Sequence, residues 1–367
     1  MKWVAAILAV AAVLGAGVYG FTHLPQMDPL MTRSRLARIQ ASPHYKNGEF
    51  VPETPHVAVT PDKSSMWPLL RPTKGIHMPK DVMPAVKTDL KSLDPKEDVV
   101  VWLGHSSFYV QLGGEKILID PILTTYASPV PFIIKAYPGT ELYTAEDIPD
   151  DIDVMVLSHD HWDHLDYDLV RAIEPKVRHV VTGLGNGGYY EKWGYPLSKI
   201  HEEDWYTPVK LGDNFTVWVM PTRHFSGRML HRNQTLYAGF VIESGGKRLF
   251  YSGDGGYDDR FARIGKQFGG FDLAIMEDGQ YNEIGWPSVH MLLEESAKGA
   301  EELHAKVVIP CHNSKYTLAP HTWKDPLERF AAASQGKSYK LATPKIGEAV
   351  RPFDPKQTYE KWWETLE

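Results

Sequence analysis

Short apolar runs recur along this chain from Val99 onward, each closed by a turn or by a histidine or acidic residue. Val99 to Leu103, Phe108 to Leu112 and Lys116 to Ile119 read as three strands, the last two joined by the two-residue turn Gly113-Gly114 and the third closing at Asp120-Pro121. The same order returns at Gly239 to Glu243, Gly245-Gly246 and Lys247 to Tyr251, closing at Ser252-Gly253-Asp254. Further apolar runs predict strands at Ile152 to Leu157, His179 to Leu184, Phe215 to Met220, Phe271 to Met276 and Lys306 to Ile309. Helices are predicted over Tyr167 to Ile173, Tyr257 to Phe268 and Leu292 to Leu303. The repeated hairpin predicts two related halves, each a sheet covered by helices, in a four-layer αββα sandwich of the α/β class. His159, His224, Asp254 and His312 all follow apolar runs. Strand ends are where such a fold gathers residues distant in sequence onto one rim.

Two stretches depart from this grammar. Met1 to Phe21 carries one charge, Lys2, and runs uncharged from Trp3 to Phe21, close to the ~20 apolar residues of a membrane-crossing helix. Residues 1–24 are therefore expected to be a membrane anchor or signal segment. The cleavage signal near Gly15 to Gly17 is poor, which favours an uncleaved anchor, and Lys2 favours a periplasmic or otherwise extracytoplasmic domain. From Pro25 to Pro95 prolines recur every few residues, which excludes long helices and most central strands; a short helix over Thr32 to Ile39 is the main exception. This arm, residues 25–96, carries Tyr45, Phe50, Trp67, Leu69 and Leu70, so it is expected to pack on the domain formed by residues 97–367.

Composition changes the picture little. The 367 residues are 43% hydrophobic and 23% charged, ordinary for a globular protein with a sizeable core. A formal charge of −7 argues against a nucleic-acid surface built on general basicity. The single cysteine, Cys311, permits no internal disulfide and reads as a small buried side chain, not a ligand.

The chemistry concentrates in Ser158 to Tyr167, which sets His159, His161 and His164 beside Asp160, Asp163 and Asp166 directly after the apolar run Val154 to Leu157. Imidazole and carboxylate together suit zinc or a similar divalent metal, and a buried strand supplies a rigid post. In an extended or tightly turned backbone His159 and His161 point the same way while Asp163 and His164 diverge, so one loop can serve two ions. A solvated, histidine-rich loop is the plain alternative, but matching residues recur downstream.

This loop closely resembles the metal loop of the metallo-β-lactamase superfamily, in the branch of N-acyl-phosphatidylethanolamine-hydrolysing phospholipase D and its bacterial relatives. Trp102-Leu103-Gly104-His105-Ser106-Ser107, Pro221-Thr222-Arg223-His224-Phe225, Ser252-Gly253-Asp254-Gly255-Gly256-Tyr257, His290 and His312 follow in the expected order, over roughly Val99 to Phe330. The resemblance implies that His159, His161 and His224 bind one metal, that Asp163, His164 and His312 bind a second, and that Asp254 bridges them. It implies two zinc ions per chain, with manganese or iron as alternatives, and a hydroxide shared between them as the nucleophile. Asp163, Asp254 and His290 are the candidate catalytic residues, His290 as a general acid or substrate-positioning group, or else as a structural hydrogen-bonder.

Three further residues stay open. Arg228 pairs with a substrate phosphate or is a solvated surface arginine, and His105 contacts substrate or braces the metal loop. The apolar loop Tyr126 to Tyr143 admits acyl chains, touches a membrane or simply covers the core. Tyr281 to Ser288 shows little likeness to its mammalian counterpart, so the resemblance leaves substrate preference open. The expected function is hydrolysis of a phosphodiester, of an N-acyl-phospholipid or related lipid, at a membrane and without nucleic acid. A metal-dependent lactonase of a sugar phosphate and a non-catalytic metal-binding envelope protein are the alternatives.

Overall fold

In the computed structural model residues 2–57, 59–60, 63–228 and 231–367 are described. The N-terminal part carries helices α1 (Lys2–Thr22), α2 (Arg33–Ala41) and α3 (Lys63–Leu70) and a small hairpin, β1 (Tyr45–Lys46) with β2 (Glu49–Phe50). Two seven-stranded sheets follow. The first contains β3 (Val99–Gly104), β4 (Ser107–Leu112), β5 (Glu115–Ile119), β6 (Ile152–Leu157), β7 (Val177–Gly183) and β8 (Ile200–Glu203). The second contains β9 (Thr207–Gly212), β10 (Phe215–Met220), β11 (Gly239–Ser244), β12 (Lys247–Tyr251), β13 (Phe271–Glu277), β14 (Ala305–Cys311) and β15 (Lys340–Leu341). The last strand, β16 (Ala349–Val350), returns to the edge of the first sheet beside β3. Helices α4 (Tyr167–Ala172) and α5 (Gly187–Lys192) lie between strands of the first half, and α6 (Arg260–Phe268), α7 (Leu293–Glu302) and α8 (Asp325–Ala333) between those of the second.

The sheets share one plan. The first runs antiparallel through β16-β3-β4-β5 and parallel through β5-β6-β7-β8. The second runs antiparallel through β9-β10-β11-β12 and parallel through β12-β13-β14-β15. Strand alternation sorts the side chains into layers. Val100 and Trp102 of β3 face the other sheet and pack with Val217, Ile242, Leu249 and Ile309. Val99, Val101 and Leu103 face outward, onto Leu169 and Val170 of α4 and Tyr189 and Tyr190 of α5. On the opposite side Phe261, Ile264, Leu293 and Phe330 cover Val241, Phe250 and Val308. The order is helix, sheet, sheet, helix, and strands buried on both faces explain the unbroken apolar runs.

The two hairpin turns meet. An ideal Cβ on Gly113 would lie 2.6 Å from the Ser244 carbonyl carbon, and one on Gly245 would lie 2.7 Å from Gly113 Cα. Both glycines have left-handed φ, +59° and +55°, so a bare backbone is needed twice over. Ser244 Oγ donates to Leu112 O at 2.7 Å across the same junction.

The arm is fastened to the sandwich at several points. Leu30 N donates to Gly188 O at 3.0 Å, Phe50 N to Asn233 O at 2.8 Å and Thr60 N to Gly285 O at 2.8 Å. Arg35 Nε meets both Glu202 carboxylate oxygens, at 2.8 and 3.1 Å. Helix α2 is capped by Thr32, whose side chain accepts from Arg35 N. Helix α3 was not expected among the prolines, and it carries Pro68 inside it.

The expected membrane segment finds no support among the described residues. The chain does coil there as α1, but among the described residues no helix is long and apolar enough to cross a membrane. Met1 and the side chains of Lys2, Val4 to Ala6 and Ala9 lie outside the described residues. Helix α6 starts at Arg260 and not at Tyr257, and β8, β9 and α5 had no counterpart in the sequence reading. Replacing Gly113 with alanine is expected to cost about 2 to 3 kcal/mol of stability, read as a lowered denaturation midpoint at unchanged slope.

Candidate metal centre

Five segments meet at one rim of the sandwich: the β3–β4 turn with His105, the loop after β6 with His159, His161, Asp163 and His164, the segment after β10 with His224, the one after β12 with Asp254, and the one after β14 with His312. Asp254 Oδ2 is at the centre. It lies 3.1 Å from His164 Nε2, 3.1 Å from His312 Nε2, 3.8 Å from His159 Nε2 and 3.9 Å from His224 Nε2. On one side His161 Nδ1 lies 2.8 Å from His159 Nε2 and 3.3 Å from His224 Nε2. On the other, Asp163 Oδ2 lies 3.1 Å from His312 Nε2 and 3.4 Å from His164 Nε2. All seven expected ligands are thus brought together, in two groups that share Asp254. The donor atoms of His159, His161 and His224 lie within 4.8 Å of one another, as do those of His105, Asp163, His164 and His312.

The imidazoles are oriented from behind. His164 Nδ1 faces Asp120 Oδ2 at 2.8 Å, His159 Nδ1 faces Ser158 Oγ at 2.9 Å, and His224 Nδ1 donates to Val289 O at 2.9 Å. Asp120 itself accepts from Ser158 N at 2.7 Å, Ser158 Oγ and Tyr251 OH at 2.6 Å. With Nδ1 so engaged, Nε2 of each ring is turned to the centre, the arrangement by which proteins fix metal-binding histidines. Asp254 Oδ1 is buried and without a hydrogen-bond partner. The residues therefore fit a pair of divalent cations.

Electrostatics make the same point. Burial works against the charge of Asp254 and Asp163, yet His164 and the neighbouring imidazoles hold both carboxyls well below the usual range. The balance falls on the histidines. Burial pulls His312 down, but Asp254, Asp163 and Glu277 outweigh it and hold it up at about 10. His164 is also raised, against burial, by Asp254 and Asp163. Burial lowers His161 to about 4 and His105 to about 3. Without metal, protons on His164 and His312 supply the positive charge that two buried carboxylates require.

The remaining expected residues fall differently. His105 is buried and its Nε2 lies 2.8 Å from Asp163 Oδ2, so it braces the metal loop. Cys311 is buried and free. Arg228 is neither a surface group nor placed for a phosphate: it is buried, with Nε on Asp160 O at 2.6 Å, one terminal nitrogen on Gln26 O at 3.0 Å and the other on Leu165 O. Its guanidinium lies 4.3 Å from the Trp162 ring centre. Arg228 therefore ties both ends of the loop, and Asp160 is held in turn by Gly227 N at 2.6 Å and Tyr189 OH at 2.9 Å.

His290 lines the cavity with Nδ1 on Glu277 Oε1. Glu277, missed in the sequence, is fully buried, accepts from Gly255 N at 2.7 Å and faces His312 Nδ1 at 3.4 Å. Asp120 and Glu277 each stand at the end of a buried strand, and that shared position was the available signal. The cavity above the centre, about 310 Å³, is lined by His161, Asp254 and His290 and by an apolar wall of Val59, Leu69, Trp286, Val289 and Leu318. Val59 and Leu69 come from the arm, Trp286 from the 281–288 segment.

Zinc added to the metal-free chain at pH 7 is expected to release protons and to bind more tightly as pH rises toward 10. An imidazolium cannot ligate, and His312 keeps its proton to about 10; calorimetry in two buffers of different ionisation enthalpy reads the release. Replacing Arg228 with methionine is expected to cost about 2 to 4 kcal/mol of stability and to lower metal content, since three backbone carbonyls lose their donor; an altered KM with full metal content would instead make it a substrate contact.

Residues 115–313 match the β-lactamase superfamily domain. A protein of Mycobacterium tuberculosis is 33% identical over 334 residues, 88% of each chain. The N-acyl-phosphatidylethanolamine-hydrolyzing phospholipase D 1 of Caenorhabditis elegans is 30% identical over 276 residues, 69% of this chain and 75% of that one. Among solved structures, the metallo hydrolase Igni18 of Ignicoccus hospitalis superposes with a TM-score of 0.54 at 21% identity, over 69% of this chain and 97% of that one, a likeness of fold. The chain belongs to the metallo-β-lactamase superfamily, in the branch that includes N-acyl-phosphatidylethanolamine-hydrolysing phospholipase D, and is a metal-dependent hydrolase.

Proposed function

We propose that the chain is a binuclear zinc-dependent phosphodiesterase of the phospholipase D type, acting on an N-acyl-phospholipid or a related lipid. The observation that carries this reading is Asp254 Oδ2, 3.1 to 3.9 Å from four histidine nitrogens, at the floor of a cavity with an apolar wall. His159, His161 and His224 would hold one cation, Asp163, His164 and His312 the other, and Asp254 both. When bound, such a pair supplies a water acidified toward neutrality and positive charge facing the phosphoryl oxygens.

The chain's own residues do the rest. Val59, Leu69, Trp286, Val289 and Leu318 exclude water from one side of the cavity and give hydrocarbon a place to lie. Glu277 fixes the His290 ring through Nδ1, which leaves Nε2 to deliver a proton to the departing alkoxide. The activity named for the nematode relative supports a lipid diester over a soluble one. The same proposal places the domain outside the cytoplasm, held at a membrane by the N-terminal segment. Its support is the exposure of Val10, Val13, Leu14 and Val18 on α1, and fractionation of cells expressing the full chain tests it.

The zinc-loaded chain is expected to hydrolyse bis(p-nitrophenyl) phosphate and N-acyl-phosphatidylethanolamine. Asp254→Ala is expected to lower kcat/KM about a thousandfold. His290→Ala is expected to keep both metals and lower kcat about a hundredfold. Turnover of lactones with diesters untouched would make the chain a lactonase, and two metals without turnover of any ester would make it a binding protein.

A further inference from the structure

We infer that Arg232 reads a second acidic group on the substrate, beyond the phosphodiester that is cut. The inference rests on the phosphodiesterase reading above. Arg232 lines the same cavity as His161, Asp254 and His290. Its guanidinium carbon lies 5.3 Å from the centre of the Phe225 ring. That ring in turn packs 4.6 Å from the His161 ring and 4.7 Å from the His224 ring. The guanidinium and the histidines of the centre therefore share one aromatic ring as neighbour, at the wall of one cavity. The charge is not one of the groups gathered around Asp254, and its place on the cavity wall lets it meet a neighbouring group of the same molecule.

The other arginines nearby are fully engaged. Arg228 is spent on backbone carbonyls of the metal loop, and Arg223 donates to Pro55 O and Tyr257 O. Arg232 has no hydrogen-bond or ion-pair partner for its side chain among the described residues; its one side-chain interaction is the face of Phe225. The acidic groups of the cavity, Asp163 and Asp254, are occupied at the centre. A ring face orients a guanidinium without neutralising it, so the fork of donors stays open for a carboxylate or phosphate. The cavity thus offers three kinds of surface, a metal centre, an apolar wall and one unneutralised guanidinium. A substrate that uses all three is an anionic amphiphile with an acidic group besides its diester.

The test uses the zinc-loaded full chain and two short-chain phospholipids of matched size, N-butanoyl- and N-succinyl-phosphatidylethanolamine, which differ by one carboxylate. The wild type is expected to favour the succinyl lipid by about fivefold or more in kcat/KM, chiefly through KM, the scale of a partly exposed ion pair. Arg232→Ala is expected to erase that preference and Arg232→Lys to keep part of it. No preference in the wild type, or a preference that survives in Arg232→Ala, would overturn the inference. Should the wild type cut neither lipid nor bis(p-nitrophenyl) phosphate, it is the phosphodiesterase reading that fails. Titration calorimetry with the same two lipids still decides Arg232: tighter binding of the succinyl lipid to wild type alone supports its role, and equal binding of both lipids removes it.

Discussion

Two carboxylates buried among imidazoles set the terms for the rest of this molecule. Asp254 and Asp163 are taken out of water at the rim where the two sheets meet, and a buried anion is tolerated only beside positive charge. The surrounding side chains are arranged to meet that demand. Four Nε2 atoms converge on one oxygen of Asp254, and Asp120, Ser158 and Val289 hold three of the rings by their far nitrogens. Protons on His164 and His312 balance the charge when no cation is present, and divalent cations balance it better, because they satisfy several donors at once.

The sandwich exists to hold those donors at fixed separations. Each comes from the end of a strand or the turn beside one, and the strands are buried on both faces, so the rim moves only if the core does. Arg228 extends the same logic to the loop after β6, which it ties to the 226–228 segment and to the arm through Gln26. The arm adds the apolar wall of the cavity. In this way the part of the chain least like a regular fold shapes what the most regular part can bind.

Much of this was legible in the sequence because it is local. The strand–Gly-Gly–strand–acid repeat announced both halves, and in the structure Gly113 and Gly245 touch where the halves join. The histidine loop and the strand-end residues carried the centre. What escaped notice depends on long-range packing. Arg228 looked like a surface or substrate-binding residue because nothing near it in sequence reveals that Asp160, Leu165 and Gln26 surround it. Glu277 was hidden because it lies just past the apolar run Phe271 to Met276 with no motif around it, and only the fold sets it behind His290 and His312. The edge strand β16 pairs with β3 from nearly 250 residues away, a distance over which no periodicity speaks. The uncharged N-terminal run was legible as a helix, but not in what surrounds it.

The central proposal is that one carboxylate, Asp254, would be shared by two cations. Crystals of the zinc-loaded chain, measured on both sides of the zinc absorption edge, test it most directly. The account predicts two anomalous peaks about 3.5 to 4 Å apart on either side of Asp254, one among His159, His161 and His224 and the other among Asp163, His164 and His312. A single peak, or peaks that leave Asp254 untouched, would contradict it.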